Sequence, residues 1–284
     1  MGLNSRKICT LSVDVDSLGT LLKFHGQSPS QVIGPDPVYQ TALPRFLQLF
    51  EECQVKATFF IVAEIYEWYP EIIKEIKKQG HEIAYHTHTH PLVKKKEILE
   101  KELLLSKKFI NDFKPAGFRA PQIYLQENAL ESLEKRGFTY SSSSYDEYVI
   151  TKFGKITEIP VSVITFRKQP FSRSLPKPLT FKLLLRKIPI GSGLSIALIG
   201  SRTSLCIRKL NARRIPTILF VHPWQLYQTP EITSVRFKLN LLLRNPLCLP
   251  YTRNIRAAVE KLFKAHQFTS FHRYFYEQQR VLGQ

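Results

Sequence analysis

Apolar and polar positions follow two rhythms along this chain, one of period two and one of period near 3.6. Lys7 to Val13 is an aliphatic, β-branched run that leads into Asp14-Val15-Asp16, the pattern of a strand covered on both faces of a parallel sheet and closing on two acids. Between Pro37 and Glu52 the spacing of Leu43, Phe46, Leu47 and Phe50 predicts a helix, and Ala57 to Val62 predicts the next short buried strand. Trp68 to Gln79 predicts a helix stopped by Gly80 in the left-handed capping position, with a strand over His81 to Tyr85. Lys94 to Phe113 predicts one long amphipathic helix. Gly117 to Arg119 then predicts a strand end, Gln126 to Arg136 a helix and Phe138 to Ser142 a strand. Strands alternating with helices predict an α/β fold with a parallel sheet, and at 284 residues a single α/β barrel is the expected form.

Composition sharpens this picture little. Hydrophobic residues make up 43% of the chain, enough to bury a large core, and no repeat or Gly/Ser linker divides it, so one domain over 1–284 is expected. Cys9, Cys53, Cys206 and Cys248 lie far apart without a C-x-x-C pair, which predicts reduced thiols and no disulfide framework.

The chemistry concentrates at predicted strand ends. His86-Thr87-His88-Thr89-His90 places three histidines in five residues, and neutral imidazole is the commonest protein metal ligand. His86 and His90, four apart on a tight turn, can converge on one ion. Zinc also takes a carboxylate oxygen and keeps a position for water at a catalytic site. Asp14 and Asp16 share a strand face, so one acid can ligate while the other accepts a proton from water.

Taken in order, these segments resemble the metal-dependent polysaccharide deacetylases of the NodB-homology type, also called carbohydrate esterase family four. The acid pair Asp14-Val15-Asp16 is similar to the family's first motif, and His86-Thr87-His88-Thr89-His90 to its H-[ST]-x-x-H motif. Arg119-Ala120-Pro121 matches R-x-P, and Thr217 to Trp224 matches the late apolar strand that ends in histidine. The resemblance spans roughly residues 7–271, and its His222-Pro223-Trp224 ending resembles a branch found near exopolysaccharide genes. Pro189 to Gly193 and Ile207 to Asn211 are similar to that branch's Gly-rich, basic stretch. Two departures stand out. Gln122 replaces the aromatic residue that often follows R-x-P, and Asp146 is the nearest counterpart of the fourth-motif acid.

The resemblance implies a distorted (β/α) barrel of about seven parallel strands and a hydrolase that removes an N-acetyl group from an amino sugar. It also implies a divalent ion, zinc foremost, held by Asp16, His86 and His90, with His88 turned away. Asp14 is then the general base, Arg119 orients it, and His222 is the general acid. The backbone N–H of Gln122, following Pro121, would help hold the oxyanion. Trp224 is expected either to form a sugar-binding wall or to pack the barrel.

Charge adds a second clue. Forty-one Lys and Arg against twenty-three Asp and Glu give +18, with the excess after residue 150 and a basic insertion expected over about 165–215. Such a field suits an anionic partner. An anionic membrane surface fits better than nucleic acid, which has no recognition motif here. Phe181 to Ile190 and Phe237 to Leu249 mix Leu with Lys and Arg as interfacial segments do. The first residues lack a signal-peptide core, and no run of about twenty apolar residues occurs, so a cytoplasmic location, peripheral at the inner membrane face, is expected. A lipid-linked saccharide then joins free glycans as an expected substrate. Deformylation of a lipid-linked amino sugar is the alternative reaction, and an inactive basic barrel that binds glycan or membrane is the non-enzymatic one.

Overall fold

A computed structural model of the chain describes residues 8–17, 19–20, 36, 38–146, 151–165, 187–244 and 246–277. His25, Arg167, Lys168, Arg173, Lys177, Lys182, Arg186 and most of the predicted interfacial segment from Phe181 lie outside the described residues.

The main sheet contains β1 (Ile8–Val15), β2 (Thr58–Ile61), β3 (Glu82–Tyr85), β4 (Gly117–Phe118), β5 (Tyr140–Ser141), β6 (Thr151–Phe153), β7 (Ile156–Glu158), β8 (Thr217–Val221) and β9 (Gln267–Thr269). Its order is β8-β1-β2-β3-β4-β5-β7-β6, with β9 also paired to β1. Every pairing is parallel except the β6–β7 hairpin. Seven parallel strands therefore run along the main path, and the structure is the expected distorted (β/α) barrel.

The alternation within β1 explains its two environments. Cys9, Leu11, Val13 and Val15 join the large core shared with the helices. Thr10, Ser12 and Asp14 fall on the other face and are also buried, so that face needs polar partners to offset desolvation. A smaller apolar cluster that includes Phe60, Ala84, Tyr140, Ile218 and Phe271 fills the barrel.

The helices are α1 (Leu43–Glu52), α2 (Ala63–Trp68), α3 (Pro70–Lys78), α4 (Lys96–Leu105), α5 (Lys107–Phe113), α6 (Leu130–Glu134), α7 (Gly193–Ile199), α8 (Thr203–Ala212), α9 (Pro223–Leu226), α10 (Pro230–Thr233), α11 (Val235–Arg244) and α12 (Arg256–Ala265). Leu43, Phe46, Leu47 and Phe50 are buried on α1, as their spacing predicts. The helix expected over Trp68 to Gln79 begins at Pro70, which disfavours helical geometry in the residue before it, and a separate, unexpected helix, Ala63–Trp68, precedes it. The long helix expected over Lys94 to Phe113 is broken at Ser106, whose buried hydroxyl is shared by Tyr85 and the His88 ring. Gly80 does cap α3 with φ of +77°.

The gap between the two ends of the sheet path is bridged by backbone. Gly191 N–H donates to Ser162 O at 2.8 Å, Phe220 N–H donates to Gly191 O at 2.7 Å, and Ile218 N–H donates to Ser162 Oγ at 2.9 Å. A Cβ at Gly191 would collide with the Ile218 carbonyl, so only glycine lets these chains approach. Within the predicted basic insertion, Lys187 to Ala212 supplies a short strand, Lys187–Ile188, together with α7 and α8.

Candidate active site

Each chemical motif lies at the carboxyl end of a strand. Asp14 is the penultimate residue of β1 and Asp16 follows it; His86 follows β3, Arg119 follows β4 and His222 follows β8. Parallel strands in register bring these ends together across large sequence separations.

Among the described residues Arg119 is the largest fully buried side chain. Nη1 donates to Asp14 Oδ1 at 2.6 Å and to Ser12 Oγ at 2.8 Å, Nη2 donates to Ser142 Oγ at 2.9 Å, and Nε donates to Ser142 O at 3.1 Å. The guanidinium carbon also lies 4.1 Å from the centre of the Phe60 ring and 5.2 Å from that of Phe220. Burial would push the Asp14 carboxyl up. Arg119, with His86 and His222 behind it, outweighs burial and holds Asp14 below the ordinary carboxylate value. Asp14 is thus an ionised acid in a dry site. Asp16 is shifted the opposite way, since burial raises it despite the pull of His222 and His86. Paired acids pushed apart in this way can take different roles.

His86 is oriented by the backbone of the same arginine residue. Its Nδ1 lies 2.6 Å from Arg119 O, and a carbonyl can only accept, so Nδ1 carries the proton and Nε2 presents a lone pair. That Nε2 is 3.5 Å from Asp16 Oδ1, and His90 Nε2 is 3.6 Å from the same oxygen. The three donor atoms lie within 4.8 Å of one another. Among the described residues this is the single group of three such donors that converges. Two ligands of one tetrahedral zinc sit about 3.4 Å apart, given bonds near 2.0–2.1 Å. Asp16 Oδ1 is buried with no hydrogen-bond partner, an arrangement that an ion would satisfy. The residues therefore fit a divalent metal.

The turn that carries the histidines is strained and held from outside. Thr87 and His90 have φ of +66° and +59°, unusual for non-glycine residues. Buried Glu102 on α4 clamps it: Oε2 accepts the N–H groups of His88 and Thr89, each at 2.7 Å, and Oε1 accepts the Thr89 hydroxyl at 3.0 Å. His88 points away from the donor cluster, with Nδ1 3.2 Å from Ser106 Oγ.

His222 sits at the start of α9. Its backbone N–H donates to Gln225 Oε1 at 3.0 Å, and its Nδ1 lies 3.2 Å from the same oxygen, so Nδ1 is the protonated nitrogen. Nε2 faces Asp16 Oδ2 at 3.5 Å. Trp224 corrects one expectation. It is only 3% exposed, stacks under His222 at 4.7 Å between ring centres and meets Tyr251 edge-on, so it packs the barrel and offers no wall to a sugar. Pro121 is buried and Gln122 is exposed beside it, with Gln122 at φ +56°.

The acid near Arg119 also differs from the expectation of Asp146, which pairs with Ser162 in a short separate ladder. Glu158, aligned with Ser141 across the β5–β7 pairing, is buried, and the field of Arg119 acts on it. Its Oε1 accepts Ser143 N–H and Ser144 Oγ–H, both at 2.7 Å. It therefore holds the serine segment whose Ser142 grips Arg119.

Burial of the imidazoles makes acid stability predictable. His81, His86 and His90 are each lowered to about 4 from 6.5, chiefly by desolvation. A depressed histidine binds its proton more readily in the unfolded chain. Stability is therefore greatest above 6.5 and is lost as pH falls through this window, at up to about 1.4 kcal/mol per pH unit for each histidine. Unfolding of the metal-free protein, followed from pH 7 to pH 4, is expected to show this steep loss; a flat profile would contradict neutral burial of the three rings.

Comparison with known proteins agrees with the geometry. Residues 32–141 match the family model described as polysaccharide deacetylase. A peptidoglycan-N-acetylglucosamine deacetylase of Bacillus cereus is 32% identical over 109 residues, covering 37% of this chain and 50% of that protein. A chitooligosaccharide deacetylase of Sinorhizobium fredii is 41% identical over 81 residues, covering 27% of this chain and 36% of that protein. The chain thus spans half or less of the length of these relatives. Among solved structures, one from Mycobacterium smegmatis assigned to the polysaccharide deacetylases superposes with a TM-score of 0.63 at 19% identity, covering 100% of this chain and 94% of that one. Residues 32–141 are therefore similar to polysaccharide deacetylase domains, and the fold of the whole chain is like that of the Mycobacterium smegmatis structure.

Proposed function

We propose that this protein is a metal-dependent hydrolase that removes the N-acetyl group of an amino sugar within a glycan. The observation that carries the reading is the partnerless, buried Asp16 Oδ1 converging with His86 Nε2 and His90 Nε2 beside an arginine-held Asp14. A mixed N/O donor set of this kind suits zinc. When bound, a divalent ion lowers the pKa of water and polarises an acetamide carbonyl.

The chain's own residues supply the rest. Arg119 occupies Asp14 Oδ1 and keeps the carboxylate ionised, so Oδ2 is the atom that accepts the proton of the attacking water. The departing amine needs a proton, and His222 gives it from Nε2 when the ring is the imidazolium, protonated on both nitrogens and held in orientation through Nδ1 by Gln225. The Gln122 N–H, next to buried Pro121, would steady the carbonyl oxygen as charge develops.

Acetate release from N-acetylglucosamine oligosaccharides and from peptidoglycan, with and without chelator, tests the reaction class. His86→Ala is expected to lose both bound ion and turnover, and unchanged metal content and turnover in this variant would sink the site. The cationic surplus favours a second reading of the substrate, an amino sugar still attached to a lipid phosphate. Acetate or formate release from lipid-linked amino sugars, set against soluble oligosaccharides, separates the two.

A further inference from the structure

The C-terminal part of the chain is nearly free of acid. From Ile159 to Val259 it holds one carboxylate, Glu231, against seventeen lysines and arginines. Within that span α11 has two unlike sides. Phe237 and Leu241 are buried and fix the helix to the core. On the opposite side Val235, Leu239, Leu242 and Leu243 are all exposed, Val235 by 73% and Leu243 by 83%. At about 100° per residue these four positions fall within an arc of about 100°. Arg236 lies at one flank of the arc and Lys238 at the other, and the helix carries no acid.

Exposed aliphatic residues scattered singly are ordinary, but four in one arc between two cations are not. The combination is that of a helix lying in the plane of a charged interface, with its apolar arc among acyl chains and its cations among headgroup phosphates. Two alternatives fit less well. Pairing with a second copy would set two acid-poor, cation-rich surfaces against each other. A protein groove would select a central aromatic anchor, and this arc has none. Position supports the interface as well. Both α7 and α11 pack on the 3-10 segment Pro246–Thr252, whose Tyr251 touches His222 and Trp224.

We propose that α11 is a docking face for an anionic phospholipid bilayer, seating the protein with the wall of its active site next to the lipid surface. Among the described residues no helix is long and apolar enough to cross a membrane, so the contact is peripheral. Only the placement of the active site relative to the lipid rests on the hydrolytic reading; the docking itself is measured without any activity.

The test is sedimentation of the full chain with vesicles of phosphatidylcholine alone or mixed with phosphatidylglycerol. Binding to the mixed vesicles is expected, weaker on pure phosphatidylcholine and weaker as salt is raised. The triple variant Val235→Ser, Leu239→Ser, Leu243→Ser is expected to bind about tenfold more weakly or worse, from the apolar area lost. Leu104→Ser, an exposed leucine on α4, is expected to bind like the parent protein. Circular dichroism checks the fold of each variant. Should the triple variant unfold, the pair Arg236→Glu and Lys238→Glu serves as the replacement, with the same loss expected. The proposal is overturned by absence of binding to phosphatidylglycerol vesicles, by equal binding of the parent and the folded α11 variants, or by α11 variants that disrupt a solution dimer while vesicle binding persists.

Discussion

Replacing Asp14 with asparagine is expected to lower turnover by about a hundred- to ten-thousandfold, the usual contribution of a positioned general base, while leaving the bound ion in place. The substitution preserves shape and the hydrogen bond to Arg119, but an amide cannot take the proton of water at neutral pH. Asp16, His86 and His90 are untouched by it, so metal content measured beside kcat distinguishes a lost base from a lost ligand set. Equal kcat in variant and parent would remove Asp14 from the mechanism. Parallel loss of metal would reassign it to the ligands.

The second large effect concerns Arg119. Replacement by methionine strips a buried carboxylate of its cation and leaves the Ser12 and Ser142 acceptors without their donor. Breaking a buried pair from one side costs about 3–5 kcal/mol, a large share of the stability of a domain. Denaturant unfolding reads that loss. The same change removes the interaction that holds Asp14 low, so the acid limb of the pH–rate profile should move to higher pH in whatever folded enzyme remains. Lysine should not restore the parent profile, because a single ammonium cannot reach Asp14, Ser12 and both Ser142 acceptors as the guanidinium fork does. An unmoved acid limb would show that Arg119 supports the barrel without tuning the base.

The residues named from motif spacing, Asp14, Asp16, His86, His90, Arg119 and His222, meet at one end of the barrel. The reason is that each ends or follows an apolar strand, and such strands announce themselves locally. Their supports were harder to see. Glu102 lies on a helix that it shares with buried Leu99 and Leu103, and an acid on an apolar face was a readable sign of a buried partner. Gln225 stands three residues after His222, the spacing of a capping box, and that signal too was present. Glu158 had no such mark. Its meaning depends on the pairing of Ser141 with Glu158 across β5 and β7, and strand neighbours 17 positions apart in sequence carry no local pattern. Trp224 could not be decided from sequence, since an aromatic residue two positions after His222 reads equally well as ligand wall or packing until its exposure is known. The split at Ser106 of the helix expected over Lys94 to Phe113 follows from one inward hydroxyl acting against a continuous apolar period.

Arg119 grips Asp14 with its side chain and His86 with its carbonyl, and it does so from the end of a strand only two residues long. Proton affinity at one acid and lone-pair direction at one imidazole therefore share a single mechanical anchor. A drift of β4 along its neighbours would detune both at once, so successive substitutions cannot adjust ion preference and base strength separately through this strand. Divergence among relatives that keep this linkage should be channelled into the exposed rim, where Gln122 stands, and away from the arginine's own register.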